Sequence, residues 1–359
     1  MTVLTPEQIG LRESVRALLA KRCDPAAVRA AMVSPEGVDR ALWVALCDQI
    51  GVAALSIPER FGGIGATPLD LHVVLEELGR ALTPSPMLGS AVLAAQTLLA
   101  LDDEDANTRL LPALATGAST VSLCWAGESG RWDPAAAAVQ AEDGALTGST
   151  HFVLDAATAD VLLVVATVGS EIGVFEVAPD ATGVTRTARA TMDLTRRLST
   201  VQFERTPGRR LARDSATPAL AHALGVARIA LSAEQVGGAT RILESTVAYA
   251  KVREQFGRPI GSFQALKHRM ADLYVLAEAA RSASYGAAAG TVAPAVAKAY
   301  CSEAYFTIAS AAIQLHGGIA ITWEHDAHLY FKRAQGSAQL FGAPSEHLAH
   351  IATLAGLEE

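Results

Sequence analysis

Three long apolar helical runs in tandem constrain this chain most. From Leu220 to Ala250 the sequence is free of proline and rich in Ala, Leu, Ile and Glu. A second run extends from about Phe263 to Ala287, and a third from Val292 to Leu315. All three exceed the average globular helix in length. Helices this long and this apolar must cover one another, so the pattern predicts an antiparallel bundle over roughly 211–359. Gly225, Gly237 and Gly238 weaken the first run as an isolated helix.

The preceding sequence divides by texture. The first hundred-odd residues read as helices and define a segment 1–117. Thr5-Pro6-Glu7-Gln8 is a helix start, with Thr as N-cap and Pro at the first helical position. Further helices are predicted over Asp39–Gln49, Leu69–Arg80 and Leu88–Leu101, with a Pro/Gly-rich turn at Ile57–Gly65 in which Gly63 and Gly65 take turn conformations. Between 118 and 210 the apolar residues fall into short runs such as Val161–Thr167, Gly173–Val177 and Leu198–Phe203, punctuated by glycines. That is a small β module. The fold class expected is α+β.

Half of the 359 residues are apolar, 18% are charged, and the net charge is −8. This composition excludes a disordered chain and points away from nucleic acid, which needs surplus Lys and Arg. The excess apolar content fits a large core together with a large subunit interface. No apolar run approaches the roughly 18 residues of a membrane span, and Met1–Leu11 lacks a basic stretch followed by an apolar one, so a cytoplasmic location is expected. Cys23, Cys47, Cys124 and Cys301 are scattered and read as reduced, buried thiols. There is no Gly-x-Ser-x-Gly elbow and no Gly-x-Gly-x-x-Gly after a strand. His316, His325 and His328 cluster by count, but they lack the spacing of a metal site, and no metal is expected.

Two motifs carry chemistry. One is Arg253-Glu254-Gln255-Phe256-Gly257-Arg258-Pro259-Ile260-Gly261-Ser262-Phe263-Gln264, between the first two long runs. A helix end, a Gly C-cap and a new helix capped by Ser262 explain its Gly and Ser, not the spacing of Arg, Phe and Gln. The other is Gln314-Leu315-His316-Gly317-Gly318-Ile319-Ala320, after the third run. Together they resemble the acyl-CoA dehydrogenase family. Glu59-Arg60-Phe61-Gly62-Gly63 and Glu76-Glu77-Leu78-Gly79-Arg80 are similar to that family's N-terminal region, so the resemblance covers essentially the whole chain. It implies an N-terminal helical domain, a β-barrel-like middle domain and a C-terminal four-helix bundle. It also implies FAD as cofactor, an acyl-CoA substrate, an electron-transfer acceptor and a homo- or hetero-oligomer, dimer or tetramer. By resemblance, Arg253 meets the flavin pyrophosphate, Phe256 and Gln264 contact the adenosine, and Gln314, Gly317 and Gly318 approach the diphosphate and ribose. A forked cation suits a pyrophosphate. Arg228 is the matching substrate-side Arg.

The family's α,β-dehydrogenation needs a carboxylate beside the substrate α-carbon. Of the two usual homes of that base, one holds Phe341 and the other Ala227. Glu234, on the first long run, is the remaining candidate base, and its alternative reading is a buried acid paired with an Arg. In the β module, Ala126–Asp133 resembles a shortened form of the loop that meets flavin and substrate. Phe152-Val153-Leu154 stands where relatives carry a Trp-x-Thr against the isoalloxazine. The nucleotide-side contacts are kept and the redox-side contacts are degraded. The sequence therefore suggests an FAD-dependent acyl-CoA dehydrogenase, from sterol side-chain or fatty-acid metabolism, or else a non-catalytic partner that completes a homologue's FAD site. Glu128, Glu324, Asp326 and Glu346 read as loop or capping acids.

Overall fold

The computed structural model describes residues 3–357; the outermost positions of the first and last predicted segments, 1–2 and 358–359, lie outside them. The chain opens with α1 (Pro6–Arg22), α2 (Pro25–Val33), α3 (Arg40–Ile50) and α4 (Pro68–Arg80). A π-helical stretch, Met87–Ala94, runs into α5 (Ala95–Leu101), and α6 (Glu104–Ala115) follows. The strands are β1 (Val121–Cys124), β2 (Val139–Glu142), β3 (Ala145–Leu154), β4 (Val161–Val168), β5 (Glu171–Val177), β6 (Val184–Ala188), β7 (Leu198–Pro207) and β8 (Arg209–Leu211). The C-terminal helices are α7 (Thr217–Val252), α8 (Gln264–Ala288), α9 (Pro294–His316), α10 (Ala327–Gln339) and α11 (Pro344–Leu354). The architecture is α+β, with helices, then a sheet, then helices.

Local signals explain most boundaries. The Thr5 hydroxyl accepts from the Gln8 amide at 3.3 Å, and the Gln8 side chain accepts from the Thr5 amide at 3.1 Å, a reciprocal cap on α1. Asp39 caps α3 by accepting from the Leu42 amide at 3.0 Å, and Gly51 ends that helix in the left-handed conformation. Three expectations need correction. Leu88–Leu101 is not one α-helix, because its first part is π-helical. Helices α2 and α6 were not foreseen; Pro112 inside α6 hides its pattern, although Asp103 caps it through the Ala106 amide at 3.0 Å. In the turn, Gly62 and Gly65 take positive φ (80° and 63°), whereas Gly63 is needed because a Cβ there would overlap the Ile57 carbonyl.

Two compact units emerge. One comprises Met1–Val28, His72–Thr83 and Arg228–Glu359; the other comprises Arg29–Leu71 and Pro84–Ala227. The second unit is built on an eight-stranded mixed sheet ordered β6-β7-β3-β2-β4-β5-β8, with β1 pairing β4. β4 pairs in parallel with both β1 and β2 and antiparallel with β5. A strand so enclosed needs apolar residues on both faces, and Leu162–Ala166 is buried without interruption.

In the first unit, α4 and α7 approach closely through glycines. A Cβ on Gly79 would strike the Glu234 backbone, and one on Gly237 would strike the Glu76 carbonyl. Gly237, one of the glycines that weaken α7 as an isolated helix, is what lets it pack against α4. Glu76 and Glu77, almost fully buried on α4, are satisfied by partners: Tyr285 donates to Glu76 at 2.6 Å, Arg281 at 3.1 Å, and Arg16 grips Glu77 with two bonds of 2.8 and 2.6 Å.

The expectation about apolar runs also needs correction. Pro294–Ile321 is long and apolar enough to cross a membrane by length and composition, because its many Ala residues raise the mean hydropathy around Lys298 and Glu303. Half of its 18-residue apolar window is buried in the fold, where α9 packs on α8, α10 and α11.

Candidate functional site

The Arg253 motif forms an exposed strip. Residues 251–258 are all exposed, and Phe256 keeps 90% of its surface in solvent. α7 ends at Val252, and a tight hairpin pairs Glu254–Gln255 with Arg258–Pro259. Phe256 (φ 55°) and Gly257 (φ 74°) make its turn. The Arg258 guanidinium lies over the Phe263 ring, 4.0 Å from its centroid, and Phe256 meets the same ring edge-on at 6.1 Å. Gln264 opens α8, exposed, with its amide 2.7 Å from the His268 imidazole. Ser262 does not cap α8: it lies in a short 3-10 turn, and Phe263 takes the cap position without a side-chain bond.

The second motif lies at the end of α9. Gln314, Gly317 and Gly318 are exposed. Gly317 has φ 68° and ψ −149°, a conformation open to glycine alone. A Cβ on either glycine would meet no atom within 4 Å. The backbone therefore faces open space that side chains would fill, which fits close approach by a bulky anionic nucleotide. The histidines nearby do not converge as ligands. His316 and His325 pack ring against ring at 4.5 Å, and His328 meets Trp323 edge-on at 4.7 Å. Among the described residues no group of three His, Cys, Asp or Glu is arranged to hold a metal. α10 is not capped by Asp326, which makes no side-chain cap; His325 Nδ1 accepts from the Ala327 amide at 3.1 Å instead. Ala343 takes the cap position of α11, again without a side-chain bond, and Glu346 lies in the first turn.

The turn at Phe341 is built in the opposite way. Phe341, between α10 and α11, is fully buried, with φ 62°. Arg228 Nε donates to the Phe341 carbonyl at 3.1 Å, so the helix position that follows Ala227 meets the turn at Phe341. Neither Phe341 nor Ala227 carries an ionisable group. Burial pulls the Arg228 pKa down, opposed by the nearby Glu346. Lys298, fully buried on α9, donates to Ser302 Oγ at 2.9 Å, to the Ala338 carbonyl at 3.1 Å and to the Gly342 carbonyl at 3.2 Å. His347 lies under the same turn, with Nε2 buried and without a hydrogen-bond partner; a Cβ on Gly342 would come within 2.9 Å of it. Burial first, then Arg228 and Lys298, press its pKa down to about 4. Glu234 is in a buried ion pair with Arg333 at 3.5 Å. The Glu234 carboxylate is thus already engaged within the fold by Arg333.

In the β module, Phe152 occupies a bulge of β3, with φ 56°. Its ring lies against the Gly130 turn of the shortened loop, and Arg189 sits 5.7 Å from its centroid. Trp125 anchors that loop by donating to the Asp133 carbonyl at 3.1 Å, and Trp132 packs edge-on against it. Glu128 is exposed. All four cysteines are buried and none forms a disulfide; burial pushes Cys47, Cys124 and Cys301 up to about 12.

Lys298, His347 and Tyr249 were missed by sequence reasoning. A single Lys within an Ala-rich helical run was the available signal for Lys298.

A fold of this order, with an exposed strip after the first long helix and a Gly-Gly turn after the third, is that of the acyl-CoA dehydrogenases, and the chain belongs to that family. The family's N-terminal domain model matches residues 5–118 and its C-terminal domain model residues 217–354. The acyl-CoA dehydrogenase IpdE2 of Mycobacterium tuberculosis is 46% identical over 358 residues, covering 97% of this chain and 98% of the relative. IpdE2 of Mycolicibacterium smegmatis is 43% identical, with the same coverage. Among solved structures, the ChsE4-ChsE5 complex from Mycobacterium tuberculosis superposes with a TM-score of 0.89 at 28% identity, covering both chains fully. A variant of the Tcur3481-Tcur3483 steroid ACAD gives 0.87 at 30% identity, covering 98% of each chain. FAD is the cofactor of this family, and a glutaryl-CoA dehydrogenase of the same fold from Mycobacterium smegmatis was solved with FADH2.

Proposed function

We propose that this chain is the subunit of a hetero-oligomeric acyl-CoA dehydrogenase that supplies the nucleotide-side contacts to FAD, while a homologous chain supplies the base. The observation that carries this reading is the split within one chain. The strip holding Arg253, Phe256 and Gln264 is exposed, whereas the turn at Phe341 is buried and carries no acid. The relatives whose printed names join two chains, ChsE4-ChsE5 and Tcur3481-Tcur3483, support an assembly of unlike subunits. The second of these is called a steroid ACAD, which favours a steroid-derived acyl-CoA as the substrate of the assembly.

In this reading Arg253 faces the pyrophosphate, Phe256 and Gln264 hold the adenosine, and Gln314, Gly317 and Gly318 line the diphosphate and ribose. When bound, FAD accepts the hydride that leaves the acyl β-carbon. Arg228 stands at the closed turn on the substrate side. Residues 1–117, 118–210 and 211–359 serve as the helical, β and bundle domains, and an electron-transfer acceptor reoxidises the assembly.

The second reading, a complete acyl-CoA dehydrogenase with Glu234 as base, has the buried Arg333 pair against it.

The test is the FAD-to-chain ratio after reconstitution and desalting, for the chain alone and co-expressed with neighbouring acyl-CoA dehydrogenase homologues. The expected result is little flavin alone and a flavin-bound hetero-oligomer on co-expression. A ratio near one for the chain alone, with dehydrogenase activity lost in Glu234→Gln, would establish the second reading instead. Phe341→Glu in the chain alone is expected to create no activity, because an acid there lacks the rest of the flavin site.

A further inference from the structure

Arg253 and Gly317–Gly318 are separate contacts in the reading above, yet one residue joins them. Tyr249 lies one turn before Arg253 on α7, and the Arg253 amide donates to its carbonyl at 2.8 Å. The Tyr249 hydroxyl donates to the backbone carbonyl of His316 at 3.3 Å, and His316 directly precedes Gly317. The two rings also stack, with centroids 4.5 Å apart and planes 29° from parallel. His325 packs on the same pair, 4.5 Å from His316 and edge-on to Tyr249 at 6.5 Å. The carbonyl of Ala312 only accepts, so His316 Nδ1–H donates to it at 2.8 Å and the ring orientation is fixed.

The need for such a brace follows from the glycines. Gly317 and Gly318 have no side chains to pack, and a Cβ on either would meet nothing. Gly317 also sits in a sparsely populated backbone region that neighbouring structure must impose. Gly317 is held through its own amide, which donates to the Ile313 carbonyl, and through His316, whose carbonyl accepts from Tyr249.

We propose that Tyr249 is a positioning residue: through His316 it holds the Gly317–Gly318 backbone in register with Arg253, so that both nucleotide-side elements act as one rigid site. The function of this brace rests on the proposal that these elements bind FAD; its geometry does not. Tyr249→Phe removes the hydroxyl and keeps the stack, whereas Tyr249→Leu removes both.

The test has two readouts. Amide hydrogen exchange over residues 316–322 of the full chain is expected to rise slightly in Tyr249→Phe and at least about tenfold in Tyr249→Leu, with exchange in the sheet unchanged. FAD retention by the co-expressed assembly is expected to fall about fivefold in Tyr249→Phe, the loss of one ordinary hydrogen bond, and further in Tyr249→Leu. Unchanged exchange over 316–322 in the Leu variant would overturn the brace, whatever the flavin does. Faster exchange with full flavin retention in Tyr249→Leu, while Arg253→Ala loses flavin, would overturn its role in the site. Faster exchange with full retention in both variants would overturn the flavin reading itself and leave a brace without that function.

Discussion

The strip around Arg253 and the turn at Phe341 belong to the same helical unit and dispose of their polar groups oppositely. In the strip, eight successive residues face solvent and the Phe256 ring is almost wholly bare. In the turn, the carbonyls of Ala338 and Gly342 are taken by the buried Lys298 and that of Phe341 by the half-buried Arg228, and the aromatic side chain is sealed inside. A polar group already satisfied within the fold has little left to offer a ligand; an exposed one has. In the proposed reading, the want of an acid at Phe341 is therefore more than one exchanged side chain. The whole surroundings of Phe341 are organised as core, while the nucleotide-side surface stays available to something outside the chain.

The largest expected effect tests the closed region. Lys298→Met keeps the volume and removes the ammonium, leaving buried carbonyls without donors. A loss of about 2–4 kcal/mol in unfolding free energy is expected, from an unmet cost of about 1–3 kcal/mol per buried group partly offset by the apolar side chain. Denaturant melts measure it. A Met variant as stable as the parent would show that these bonds contribute nothing and that the turn is held by packing alone. Next in size, and in the opposite region, is Arg253→Ala. Removing the forked cation should weaken FAD retention by about 1.5–3 kcal/mol while the melting temperature stays within about a degree of the parent, since the side chain is exposed. A dialysed assembly that keeps its full flavin complement would separate Arg253 from the cofactor.

How far the two regions were legible in the sequence differs for the same physical reason. The strip is local: Arg253, Phe256, Gly257 and Gln264 are near in sequence, so the resemblance of one short segment to the family's motif marks them. The absence of an acid at Phe341 and Ala227 was also readable. What holds the turn was not, because it depends on long-range contacts, from Lys298 on α9 to Ala338 and Gly342, and from Arg228 on α7 to Phe341. The helices and strands followed from periodicity and capping, except where another demand overrode it. Pro112 masked α6, and Gly237 on α7 looked like a defect because the α4 backbone that needs it, at Glu76, is remote in sequence.

The smallest expected effect is a pH dependence carried by His347, under the closed turn, and by His72 on α4. His347 is held neutral, its pKa down at about 4, and His72, buried beside Tyr285 and near Arg281, is lower still, at about 3. In the unfolded chain both titrate near about 6.5. Above that value neither state binds the proton and the two groups make stability independent of pH. Between about 6.5 and 4 the unfolded state takes up protons that the native state refuses, so stability falls as the pH falls. At pH 5 each group costs on the order of 1–2 kcal/mol relative to pH 7. His347→Gln cannot titrate, so the drop between pH 7 and pH 5 should shrink by that amount in the variant, whatever its stability at pH 7. The quantity to compare is the difference between the two pH values, parent against variant. An equal drop in both would mean that His347 reaches solvent when protonated, and the turn above it would then be looser than its buried carbonyls imply.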